Sequence, residues 1–407
     1  MNYNKLKTMK NTFLTLSLIS VLLVSCGKDD IADIIINNTD NSVTTVNNDT
    51  SGTDANPGQT INISGTYVND LTLEAKNEYI LNGALVMDSG TTLTIEAGTT
   101  IKALASGSDV YIAITQGAKI EANGTKENPI VMTSNASTPQ AGDWGGLIVL
   151  GNAPINSVSS GTSTSEIGSL PYGGNNANDN SGTIRYVRVQ YSGGKADGQS
   201  ENNGFSFYGV GNGTTVEYIQ MFEGLDDGIE FFGGTVNVNY ISVINAQDDS
   251  IDWTEGYTGN ITNVYVKHGI NHDKAFECDG YNTDIGNNSS PLYFSAPNVS
   301  NVTVEGLGEL TGGEAVRLRA GTQGIFSNIV LTGFEEGFDL DGDSGDNPTG
   351  QGVLDGVLQV NDVLFNGVAV KFKNDTGFTF TEADFISGDG NGTGTDYASW
   401  GADWTIE

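Results

Sequence analysis

The chain has 407 residues, of which 17 are Lys or Arg and 50 are Asp or Glu, for a formal charge of −33 at neutral pH. A surface this acidic repels nucleic acid and anionic lipid headgroups and attracts divalent cations, so no nucleic acid partner is expected. Two cysteines, Cys26 and Cys278, leave apolar burial and the backbone ladder to supply stability.

Residues 1–25 carry Lys5, Lys7 and Lys10 ahead of an apolar run over 13–25. That run is too short to span a bilayer, and the pattern is that of a secretory signal peptide. It closes on Leu22-Leu23-Val24-Ser25-Cys26-Gly27, which resembles a bacterial lipobox. The resemblance implies acylation of Cys26 and attachment to a membrane through the lipid anchor alone, which leaves Cys278 without a disulfide partner. Gly27-Lys28-Asp29-Asp30 resembles the surface-export signal of Bacteroidota lipoproteins, which implies an outer-membrane protein facing the cell exterior. Without residues 1–25 the chain keeps 14 basic and 50 acidic residues, a charge of −36. Residues 26–59, rich in Asn, Asp, Thr and Ser, read as a flexible, disordered tether.

From residue 60 the composition changes to short runs of Val, Ile, Leu and Thr between Gly, Asn and Asp, with no helical periodicity. Three early segments rhyme, over 90–101, 117–125 and 142–148, and residues 157–183 read as a long loop. One strand then recurs from Tyr186, Tyr218, Tyr240, Asn263, Asn301, Asn328 and Asp362. A second recurs from Gly204, Gly228, Ser250, Ala275, Ala315 and Gly337, at spacings of 24, 22, 25, 40 and 22 residues. A period near 22–25 with two or three short strands is one coil of a right-handed parallel β-helix, an all-β solenoid. The long spacing places an insertion at 280–297.

Each recurring strand is apolar, polar, apolar, which predicts outer positions in the core and a middle position toward solvent. Ile229, Ile251, Phe276, Val316 and Phe338 then form one inner column, and Phe231, Trp253, Cys278, Leu318 and Leu340 its neighbour. Cys278 is thus expected as a core residue. The β-helix is expected over 60–382, with 383–407 as a capping segment that protects the last edge. The coils resemble those of Bacteroidota β-helix surface proteins.

The middle positions align Glu230, Asp252 and Glu277 as an acidic ladder, with Arg317 and Asp339 further along. Stacking at about 5 Å makes like charges repel, so a cation, a raised pKa or a lysine must compensate. Calcium is the natural cation for hard oxygen ligands. A second calcium candidate is the loop bearing Asp339, Asp341, Asp343 and Asp346, which resembles D-x-D-G-D loops of extracellular repeats. It departs from an EF-hand, because Gly350 stands where the bidentate Glu belongs.

The order Asp226-Asp227-Gly228, Asp248-Asp249-Ser250, His268 to His272 and Arg317-Leu318-Arg319 resembles the motif order of polygalacturonases. That resemblance implies an inverting acid and base in Asp227 and Asp248 or Asp249, with His272 nearby and Arg317 or Arg319 holding a uronate carboxylate. Against it, the repeat register puts Lys274 where the family has histidine, and the acidic doublets recur in several coils as shared turn chemistry would. The leading expectation is therefore a non-enzymatic surface lipoprotein that binds a glycan, a peptide or a partner protein, and the family resemblance implies an outer-membrane transporter as a candidate partner. The alternative is an enzyme acting on an acidic polysaccharide.

Overall fold

A computed structural model describes residues 58–196, 202–283, 288, 290–311, 313–341 and 349–407. The expected signal, Cys26, almost all of the tether, Asp343 and Asp346 lie outside these residues. The described chain is a right-handed parallel β-helix in which 22 strands pair in parallel throughout. None of its helices is long and apolar enough to cross a membrane.

The strands stack in three columns. Strands such as Thr215–Gly224, Asn237–Ala246, Asn260–Lys267 and Asn298–Glu305 supply two columns each, because a single residue bends them in the middle. That residue has positive φ in seven successive coils: Tyr186, Tyr218, Tyr240, Asn263, Asn301, Asn328 and Asp362, all between 48° and 60°. Asn and Asp tolerate this left-handed conformation, whereas Tyr is strained there by roughly 1–3 kcal/mol. Stacking offsets the strain. Tyr218 lies 4.3 Å from Tyr186 and 4.2 Å from Tyr240, ring on ring. Above them Asn301 donates to Asn263 at 3.2 Å and Asn328 donates to Asn301 at 2.9 Å. The corner is thus held by a tyrosine ladder continued by an asparagine ladder.

The third column contains Phe205–Tyr208, Ile229–Phe232, Ile251–Thr254, Phe276–Asp279 and Glu314–Arg319, in register from coil to coil. Both expected inner columns are fully buried, Cys278 and Trp253 included. Burial pushes the Cys278 thiol well above its ordinary pKa.

The middle positions of this column depart from expectation. They do not face open solvent: Ser206 and Asp339 are buried, and Glu230, Asp252, Glu277 and Arg317 are partly covered. Over the coils of Ser206 and Glu230 the reason is a roof, whereas Arg317 and Asp339 pair with Asp341 and Lys373. The 157–183 segment expected as a free loop folds back: its Ile167 and Tyr172, with Ile155 just before it, form a second apolar cluster with Tyr111, Ile148, Leu150, Tyr208 and Phe232 on the outer face. Asn156 ties this roof to the 280–297 insertion by donating to the carbonyls of Gly280 and Tyr293, each at 2.8 Å.

After the long strand Leu358–Asn374, Phe385 is fully buried against Phe338 and Phe372, and Ile386–Asp389 pairs with that strand. The remaining residues do not stay at this end. They run back along the tyrosine corner: Thr393 N–H donates to Asn328 at 2.7 Å, Tyr397 stacks on Tyr265 at 3.8 Å, and Trp404 meets Tyr186 edge-on at 5.4 Å. Gln220 exchanges two hydrogen bonds with Ile406, at 2.8 and 2.9 Å.

Candidate functional site

The turn entering the third column positions the acidic doublets. Two residues before the first inward side chain of each strand stand Asn203, Asp227, Asp249, Lys274, Glu314 and Glu336. Asp227 Oδ1 accepts from the backbone N–H of Asp249 at 2.9 Å, and Asp249 Oδ1 accepts from that of Lys274 at 2.7 Å. Each aspartate therefore hooks the turn of the next coil, a structural use of the carboxylate. The run ends on a cation: the Lys274 ammonium, almost wholly enclosed, lies 3.7 Å from Asp249, 2.5 Å from Asp273 and 3.0 Å from Glu277. On the outer side Lys195 lies 3.6 Å from Asp226 and 3.7 Å from Asp248.

Beside this corner the middle positions align as Glu230, Asp252, Glu277, Arg317, Asp339 and Lys373. Among the described residues single carboxylate oxygens converge within 4.8 Å in five sets: Asp226, Asp227 and Asp248; Asp227, Glu230 and Asp252; Asp248, Asp249 and Asp273; Asp249, Asp252 and Glu277; and, further up, Glu314, Glu336 and Asp339. Asn203 donates to Glu230 at 2.7 Å, and Arg319 reaches Glu277 at 2.6 Å and Asp279 at 2.5 Å. One oxygen of Asp252 is enclosed without a hydrogen-bond partner. Burial first, then like-charged neighbours, push Asp227, Glu230, Asp249 and Asp252 well above the ordinary carboxylate range. The donor set suits a hard divalent cation, and Asp227, Glu230 and Asp252 are the residues that would hold it.

The residues aligned with polygalacturonase motifs take other geometry. Oxygens of Asp227 and Asp248 approach within 4.8 Å, and Asp227 and Asp249 each accept from the backbone N–H of the next coil's turn. Arg317 stands three coils above Glu230 in register, about 14 Å at the usual strand spacing, and its guanidinium is held by Asp341 at 2.7 Å. His272 donates from Nδ1 to the Asp273 carbonyl at 2.9 Å and stacks on His268 at 4.3 Å. Burial, then the neighbouring His272, lowers His268 to about 3.

Of the second calcium candidate, Asp339 is buried with Lys373 at 3.1 Å and Asp341 binds Arg317, so the two described carboxylates serve different cationic side chains. Of the three tryptophans outside the inner columns that could stack on a sugar, Trp144 and Trp404 are buried, whereas Trp400 is partly exposed. Sequence reasoning missed the partnership of Asn203 with Glu230, although Asn203 shares the register of Asp227. It also missed Lys195, which lies far from the doublets in the chain.

Fold and site together define a parallel β-helix with a carboxylate-lined outer column beneath a roof. The family described as pectate-lyase like beta helix domain matches residues 65–405, and the chain belongs to it. No curated protein and no solved structure matches this chain. The membership fits a role connected with polysaccharide.

Proposed function

We propose that this protein is a lipid-anchored β-helix displayed on the cell exterior, which binds an extracellular glycan without cleaving it and holds calcium in its acidic column. The observation that carries the reading is the roof: Ile155, Ile167 and Tyr172 pack on Tyr208 and Phe232 and cover the outer strand face beside the acidic column. Below it, Asp227 and Asp249 are committed to backbone N–H groups and Arg317 and Arg319 to carboxylates, so no paired acid and base with a free uronate clamp is left there. Anchoring through Cys26 and export by the residues after it supply the location.

The test is a panel of uronate and neutral polysaccharides, read for new reducing ends, for unsaturated products and for binding. Binding without cleavage is expected, together with a melting temperature that falls by several degrees on chelation. Cleavage abolished by Asp249→Asn at unchanged melting temperature would replace this reading with the enzymatic one, and an unchanged melt on chelation would remove calcium from it.

A further inference from the structure

Of the three outward faces of the helix, two are covered. The roof lies on the third column, and the tail lies on the second, where Gln220, Ser242 and Tyr265 meet Ile406 and Tyr397. The first column, the half of each bent strand before the positive-φ residue, stays open. Its outward positions form two rows. One stacks Asn239, Thr262, Ser300, Ser327, Asn361 and Ser387 in register from coil to coil. The other, two residues earlier in the strands, stacks Asn237, Asn260, Asn298, Ile325 and Gln359. All of these are exposed or half-exposed. Neither row carries a charge over these coils, in a chain with 50 acidic residues. Below them the Asn239 row changes to an ion pair between Glu217 and Arg185.

Strand formation does not account for these residues, because Asn is depleted in strands, where its side chain competes with the ladder. They bond to one another along the axis instead. Asn260 donates to Asn237 at 2.6 Å and Asn298 to Asn260 at 3.2 Å, while Thr262 donates to Asn239 at 2.8 Å and Ser387 to Asn361 at 2.7 Å. A carboxamide has two N–H groups and two lone pairs, so the rungs keep donors and acceptors to spare. Rungs repeat at about 4.8 Å and the rows run about 6.6 Å apart, so the Asn239 row is about 24 Å long.

We infer that this face binds a neutral polysaccharide chain laid along the helix axis. The step rests on the glycan-binding reading above and names the sugar class and the face. Sugar hydroxyls donate and accept, as the carboxamides and hydroxyls of the rows do, so a repeating polymer meets a repeating ladder. An anionic chain is repelled by the field of this protein, and a cationic one is drawn to the carboxylates of the third column. A protein partner needs aromatic or arginine anchors in desolvated pockets, whereas Ile325 is the one apolar side chain in the two rows.

Native gel electrophoresis of the full chain through gels containing xyloglucan, galactomannan or polygalacturonate tests this. Retardation by at least one neutral polymer is expected, with polygalacturonate at least tenfold weaker. Ser300→Glu and Ser327→Glu, which set an uncompensated carboxylate in the contact, are each expected to weaken binding at least tenfold, and Ser300→Gln by no more than about threefold. The melting temperature of each variant should move little at these surface positions, which separates loss of the face from loss of the fold. Polygalacturonate binding as tightly as the neutral polymers overturns the sugar class. Unchanged binding in both glutamate variants, or equal loss in Ser300→Gln, overturns the face. Either failure leaves the glycan reading standing, whereas no retardation by any of the polymers brings it down as well.

Discussion

Replacing Lys274 by methionine keeps most of the buried stem and removes one charge. The ammonium is 5% exposed and touches Asp249, Asp273 and Glu277 at 3.7, 2.5 and 3.0 Å. Asp273 is largely exposed and recovers water, but Asp249 and Glu277 are enclosed and are left with less compensation. Removing one partner from a buried ion pair costs about 3–5 kcal/mol. With an unfolding entropy near 2 cal/mol/K per residue over roughly 350 residues, that is a fall of about 5 °C in melting temperature.

The pH dependence is more diagnostic. Burial lowers the Lys274 pKa, but Asp249, Glu277 and Asp273 outweigh it and the net shift is upward. Lys274 is therefore charged throughout pH 4–8, so any pH dependence of its contribution in that window comes from the ionisation of the carboxylates it faces, Asp249 among them, whose pKa it holds down. Asp227, Glu230, Asp249 and Asp252 are shifted upward in the folded state. Each such acid costs stability once pH rises above its unfolded value near 4. The melting temperature of Lys274→Met should thus approach wild type near pH 4 and diverge toward pH 8. Differential scanning calorimetry at these two pH values decides it. A deficit that is the same at both, or absent at both, refutes the electrostatic account of this corner.

Asn301 sits at φ 56° and links Asn263 to Asn328. Asn301→Ala should cost about 2 kcal/mol through left-handed strain and a broken ladder, and Asn301→Gly less because glycine removes the strain; chemical denaturation yielding the reverse order would sink the corner argument. Ending the chain at Gly390 uncovers the aromatic corner where Tyr397 and Trp404 pack, so limited proteolysis should accelerate and the melt should fall; an unchanged melt would make the tail a passive passenger. His268 and His272 are the chain's two histidines, and the ring signals of His268 should stay neutral down to pH 4, given its pKa of about 3. Since neutral His268 stabilises the fold above its unfolded pKa near 6.5, that contribution is lost as pH falls toward 3; ordinary titration of both rings would refute the burial of His268.

The solenoid was legible because coil repetition writes itself as sequence periodicity. Ile229, Ile251, Phe276, Val316 and Phe338 are a register visible without coordinates, and the fold places them in one inner column. The Tyr, Asn and Asp residues that open the other series were visible too, but their left-handed backbone was not, since nothing local distinguishes a bent strand from two strands. Least legible was the roof. Residues 157–183 look like loop because their apolar side chains are sparse, and only contact with Tyr208 and Phe232, distant in the chain, shows what Ile167 and Tyr172 cover. Middle positions read as solvent-facing for the same reason: alternation reports which face is inward, not whether another segment covers the outward one.

That distinction locates where compensation is needed. From Glu277 upward the middle column alternates in sign, through Arg317, Asp339 and Lys373, and each carboxylate there has a cationic neighbour. Glu230 and Asp252 stack with the same sign, under the roof, beside Asp227, and with one oxygen of Asp252 lacking a hydrogen-bond partner. Two physical solutions exist for such a trio: a bound divalent cation, or protons retained at neutral pH. They have opposite consequences for calcium. A cation displaces those protons, so adding calcium at pH 7 should release acid and raise the melting temperature together, whereas a trio that keeps its protons gives neither signal. Measuring the two in one titration separates a cation-holding column from a merely protonated one, and Asp227, Glu230 and Asp252 are the first residues to substitute in it because the upper coils already carry their own positive charge.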